Sequence, residues 1–209
     1  LGLPIAMILF VEVSIFSLIA LFLGVRPDFE IASHQVAMNV AYLLFTFPLS
    51  ISVAVTIRVS NAVGALRRDK ALLAAKAALS LAIIAASFNI FILIFFADFI
   101  PHIYSNDEVV VELAAHLLIY AGLFQMADAF VVPNQAALRG YKDTKVPLVL
   151  AIFAYWLIAL PLGYILGLTD IIVPGMGAEG FWISLVVGLV ISGVLMTKRL
   201  MKISKVESP

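Results

Sequence analysis

The sequence predicts an all-α, polytopic membrane protein with six spanning helices. Three observations carry this. The chain is 64% hydrophobic and only 12% charged, whereas a soluble domain is about half apolar and a quarter charged; its mean hydropathy is +1.14. The apolar residues fall into six runs, at about 1–23, 35–57, 71–97, 111–137, 146–168 and 178–197. Each is long enough to cross the bilayer, which takes about 20 residues at about 1.5 Å each. The connections then alternate in charge, as successive loops on opposite sides of a membrane do.

The first run, LGLPIAMILFVEVSIFSLIALFL, has one charge, Glu12, near its middle. The second holds Gln35, Asn39 and Tyr42 at i, i+4, i+7, so the three share a helix face. Pro48 follows them, and Asn89 sits mid-run in the third span. Ser105-Asn106-Asp107-Glu108 precedes the fourth run and reads as a helix start, with acids at the positive end of the dipole. The fourth run contains His116, Gln125, Asp128, Asn134 and Gln135. Pro4, Pro48, Pro133, Pro147 and Pro161 lie within or beside spans, which membrane bundles tolerate. His34 and His102 are placed in outer-side connections, without ligand spacing.

Basic residues cluster in every second connection: Arg58, Arg67, Arg68, Lys70 and Lys76; then Arg139, Lys142 and Lys145; then the tail Lys198, Arg199, Lys202 and Lys205. The intervening loops carry Asp28, Glu30, Asp98, Asp107, Glu108 and Asp170, with Arg26 their one cation. The positive-inside rule therefore places both chain ends in the cytoplasm. No linker divides residues 1–209 into two domains. The chain opens at Leu1 inside an apolar run, with no Met and no basic leader, so a fragment of a longer protein is expected.

The chain has no Cys, which excludes disulfides, thiolate metal sites and Cys nucleophiles. It has no GxxxxGK[ST], HExxH or GxSxG motif. Topology accounts for its basic loops, so no nucleic-acid partner is needed.

Glu12 and Asp128 are the candidate functional residues. An acid at the centre of a membrane helix costs about 2.5–3.5 kcal/mol on insertion scales. One that is retained usually faces a bundle interior or a water-filled cavity. Each reads as a proton or cation site; the alternative is a hydrogen-bonded packing acid, for Asp128 through Asn134 or backbone. Leu117, Ala121, Phe124 and Gln135 lie within about 40° of Asp128 on the helix wheel. Such a lining suits an amphiphilic ligand or a tight helix contact. Gln35, Asn39 and Tyr42 are further candidates for cavity lining, though polar groups of this kind also serve as interhelical glue.

Residues 103–166 resemble the multidrug and toxic compound extrusion (MATE) family, NorM-like branch. The most specific piece is Ala137-Leu138-Arg139-Gly140-Tyr141-Lys142-Asp143-Thr144, similar to the family's LRGxxDT loop. Ser33 to Asn39 with Pro48 and Thr56-Ile57-Arg58-Val59 resembles its eighth helix, and Leu3-Pro4 through Glu12 its seventh. The resemblance implies one six-helix lobe, helices seven to twelve, of a twelve-helix fold. It places the family's cation-site acids on Glu12 and Asp128, which would bind Na⁺ if coupling is by sodium. Phe45 stands where some members have a Tyr. The implied protein is a bacterial inner-membrane antiporter. It would export amphiphilic, often cationic, compounds in exchange for Na⁺ or H⁺, with no cofactor. Its partners would be membrane lipids, those small molecules and a missing N-terminal lobe. The alternatives are a lipid-linked precursor flippase, a non-catalytic half-lobe and, remotely, an intramembrane aspartyl-type protease.

Overall fold

A computed structural model describes residues 2–206; Leu1 and residues 207–209 of the expected unit lie outside the described residues. The helices are α1 (Gly2–Leu23), α2 (Asp28–Gly64), α3 (Arg68–Phe95), α4 (Glu108–Gly140), α5 (Lys145–Leu168) and α6 (Ala178–Val206). All six are long and apolar enough to cross a membrane. A 3₁₀ turn, Pro101–Ile103, interrupts the α3–α4 connection.

Four helices run past their apolar runs: α2 and α4 at both ends, α3 at its start and α6 through the basic tail to Val206. Hydropathy marks where hydrocarbon ends; helical hydrogen bonding continues into the interface. His34 is accordingly inside α2 rather than in a connection. It is buried, and its Nδ1 accepts from Trp182 Nε1 at 3.2 Å. The predicted start of α4 is present: Asp107 Oδ1 accepts from the Val109 N–H at 3.0 Å.

α4 is the hub. It packs against α2, α3 and α6, while α5 packs against α6 and α1 packs chiefly against α5. Small residues bring helices close, since apolar bulk alone gives no advantage over lipid. Ala71, Ala75, Ala78, Ala82 and Ala86 form the buried stripe of α3. In α6, a Cβ on Gly180 would lie 2.7 Å from the Gly167 backbone of α5. Polar ties add to this. Thr56 Oγ1 lies 3.2 Å from the Ala136 carbonyl, and Asn134 Nδ2 donates to Thr197 Oγ1 at 2.7 Å.

Pro48 leaves the Leu44 carbonyl without its usual i+4 donor. Asn89 Nδ2 of α3 donates to that carbonyl at 3.4 Å, and Gln125 Nε2 of α4 donates to Ala41 O at 3.0 Å. In α5 the stretch Phe153–Ala159 is a π-helix, just ahead of Pro161.

At the acidic end of the bundle, buried Glu30 joins distant segments. Its Oε1 pairs with Arg26 Nε at 2.8 Å, and its Oε2 accepts the Ala178 N–H at 2.9 Å. The carboxylate thereby caps α6 at the positive end of its dipole. Gly177 precedes it at φ +59°, and a Cβ there would fall on the Glu30 carboxylate. At the basic end, Asp143 accepts from Arg199 Nε at 2.8 Å, and its Oδ1 receives the Val146 N–H at 3.5 Å.

Candidate functional site

Four helices and the π segment line an open cavity of about 200 Å³. α1 contributes Glu12 with Leu9, Val13 and Phe16, spaced so that one helix face carries all four. α4 contributes Phe124, Asp128, Val132, Gln135 and Arg139, a stripe at successive three- and four-residue steps. α2 adds Tyr42, Phe45 and Ser52 among others; Tyr155 comes from the π segment and Trp182 from α6.

Both acids singled out in the sequence therefore line one cavity. Asp128 is 5% exposed, and Glu12 is half-buried. Gln135 Nε2 donates to Glu12 Oε1 at 3.5 Å, bridging α4 and α1. Asn134 does not serve Asp128: its amide bonds Phe130 O and Thr197. Arg139 also lines the cavity, with its Nε buried and unpartnered among the described residues. The cavity thus holds two carboxylates and one guanidinium.

The aromatic wall is continuous. Phe16 meets Tyr42 edge-on at 6.2 Å and Phe124 at 5.9 Å, and Phe124 meets Trp182 at 5.9 Å. Faces of such rings attract cations. Of the expected lining, Tyr42, Phe124 and Gln135 are present; Gln35 and Asn39 are not among the lining residues. Those two are exposed on α2, on the same outer face as Tyr42. Phe45 lacks a hydroxyl, but Tyr42 and Tyr155 bring hydroxyls to the same cavity. Tyr155, Trp182 and Arg139 were not expected here. Nothing in local spacing marks the first two, because three-dimensional packing alone carries them to α1 and α4.

Chemically, an ionised carboxylate in such a place requires a counter-charge, since burying it alone costs several kcal/mol. A proton or a small cation supplies one. Among the described residues no group of three or more His, Cys, Asp or Glu could hold a metal ion. A cation here would rest on the acid pair and neutral oxygens.

The LRGxxDT-like loop also has a physical account. A Cβ on Gly140 would lie 2.7 Å from the Val59 side chain, so at this point α2 and α4 approach as closely as they do because the residue is glycine. Asp143 caps α5 and holds Arg199, while Arg139 reaches the cavity.

The MatE family profile matches residues 4–165. The chain is 42% identical over 204 residues to a probable multidrug resistance protein NorM of Idiomarina loihiensis, covering 98% of this chain and 44% of the relative. It is 41% identical over 208 residues to multidrug resistance protein MdtK of Yersinia enterocolitica, covering 100% of this chain and 46% of the relative. Among solved structures, the eukaryotic MATE transporter AtDTX14 superposes with a TM-score of 0.88 at 22% identity, over 96% of this chain and 44% of that one. An outward-facing MATE family transporter superposes at 0.84 and 20% identity, over 99% and 45%. The chain spans about half the length of the curated relatives it matches. Its relatives are transporters rather than enzymes, which removes the protease alternative. With six apolar helices and bacterial relatives, it is a multi-pass inner-membrane protein. By profile, whole-chain identity and fold together, this chain belongs to the MATE family.

Proposed function

We propose that residues 1–209 form the C-terminal six-helix lobe of a secondary antiporter that exports amphiphilic, often cationic, organic compounds in exchange for Na⁺ or H⁺. The carrying observation is the shared cavity: Glu12 and Asp128, on different helices, face one aromatic-walled space. The relatives' designation as multidrug resistance proteins supports the cargo class. The coupling cation binds at the acid pair, and Gln135 orients Glu12 from α4. Aromatic faces and a negative interior suit a lipophilic cation. Loading one cation neutralises part of the charge that the other would satisfy, so the two fluxes compete and couple.

The test is Glu12→Gln and Asp128→Asn in the two-lobed transporter reconstituted in proteoliposomes. Both amides keep shape and hydrogen bonding and lose the charge. Cation-gradient-driven dye efflux is expected to fall to background, with expression and thermal midpoint retained. Full coupled transport in both variants would overturn the assignment. Arg139 in the cavity favours a second reading, a lipid-linked precursor flippase with an anionic headgroup. Two acids against one cation place it second, and transport of an anionic lipid-linked substrate in place of the dye would reverse that order.

A further inference from the structure

A second concavity lies between α4 and α6 on the far side of α4 from the acids. It measures about 600 Å³. Leu123, Met126 and Phe130 line it from α4; Val190, Val194 and Lys198 line it from α6. On the α4 wheel the centre of this lining is about 150° from that of the Phe124–Asp128–Gln135 stripe. The two spaces are therefore separate, and this one opens on the outside of the bundle, where Leu123, Val190, Val194 and Met201 are exposed.

Its walls are apolar, and one charge stands at one end. Lys198 is exposed and makes no ion pair among the described residues. Lys202 follows one turn later on the same face. Arg199 is already held by Asp143, and no carboxylate lines the groove. The Thr197 hydroxyl is engaged by Asn134 and the Gly193 carbonyl. From Val186 to Lys198 the lining runs about 18 Å along α6, close to the roughly 15 Å depth of one leaflet.

We infer that this groove is a binding site for an anionic phospholipid, with an acyl chain along Val186–Val194 and the phosphate on Lys198 and Lys202. Charge complementarity selects this occupant: a neutral lipid leaves the lysines unused, and a second apolar helix would have to bury Lys198. The inference rests on the membrane placement of the six helices and not on the transport reading.

The test is native mass spectrometry of the protein purified from membranes, titrated with phosphatidylglycerol or phosphatidylcholine. The wild type is expected to retain the anionic lipid preferentially. Lys198→Gln and Lys202→Gln should each lower that preference about fivefold, and together about 25-fold. Lys142→Gln with Lys145→Gln removes two charges at the same end but outside the groove, and should leave the preference nearly unchanged. Val194→Trp fills the groove and should reduce retention of both lipids. Equal losses from both lysine pairs would show only general surface attraction and overturn the site. So would a preference indifferent to Lys198 and Lys202, or a cross-link at position 194 to a second copy.

Discussion

Glu30 shows how much one side chain can join. It meets a cation one turn away, the first N–H of a helix 148 residues on, and the space above Gly177. Glu30→Ala takes the carboxylate from Arg26 and from the α6 terminus and is expected to cost about 2 kcal/mol, read as a lower thermal midpoint by tryptophan fluorescence. Gly177→Ala brings a Cβ onto the carboxylate at a left-handed φ, and should cost a similar amount. Because the clash partner is Glu30 itself, the double variant should lose less than the two singles added; strict additivity would refute this contact. Among the cavity residues, Glu12 and Asp128 were legible in the sequence because charge inside an apolar run is conspicuous. Tyr155 and Trp182 were not: an aromatic in a membrane helix looks the same whether it faces lipid or a cavity. Gln35 and Asn39 share a face with Tyr42, as their spacing says, but only Tyr42 reaches the cavity.

The helices themselves were legible in number and order, because each needs its own apolar run. Their ends were not, since polar residues such as Asp28, Glu30, Ser33 and His34 continue a helix as well as they end one. Proline effects needed the neighbours. Pro48 is ordinary in sequence; the finding is that Asn89 of α3 supplies the donor it removes. Asn89→Leu should destabilise the protein by about 1 kcal/mol, the size of a membrane-buried hydrogen bond. In a Pro48→Ala background the helix regains its own N–H at that turn, and the same change should cost less. An equal cost in both backgrounds, measured by thermal unfolding, would separate Asn89 from the proline.

At the scale of the whole molecule, charge alternation predicts that the end carrying the Asp143–Arg199 pair faces the cytoplasm. The chain has no native Cys, so Lys70→Cys, Lys145→Cys and Asp98→Cys can each be read alone. An impermeant thiol reagent added to intact cells should label position 98 and spare 70 and 145; labelling at 145 would invert the orientation.

The π segment of α5 sets a further relation. The first half of α5 packs against α1 and the second chiefly against α6. In a regular helix both halves would share one angular phase, and each residue added or removed turns everything downstream by about 100°. A π turn stores one residue beyond the α-helical count, so Phe153–Ala159 holds one extra residue that sets how Gly163 and Gly167 face Phe181. Loss of a single codon in this stretch would therefore let the helix close as regular α with its glycine face still on α6. A full-length α5 that lost the π turn would instead swing that face away by about 100°, while the half bearing on α1 stayed where it is.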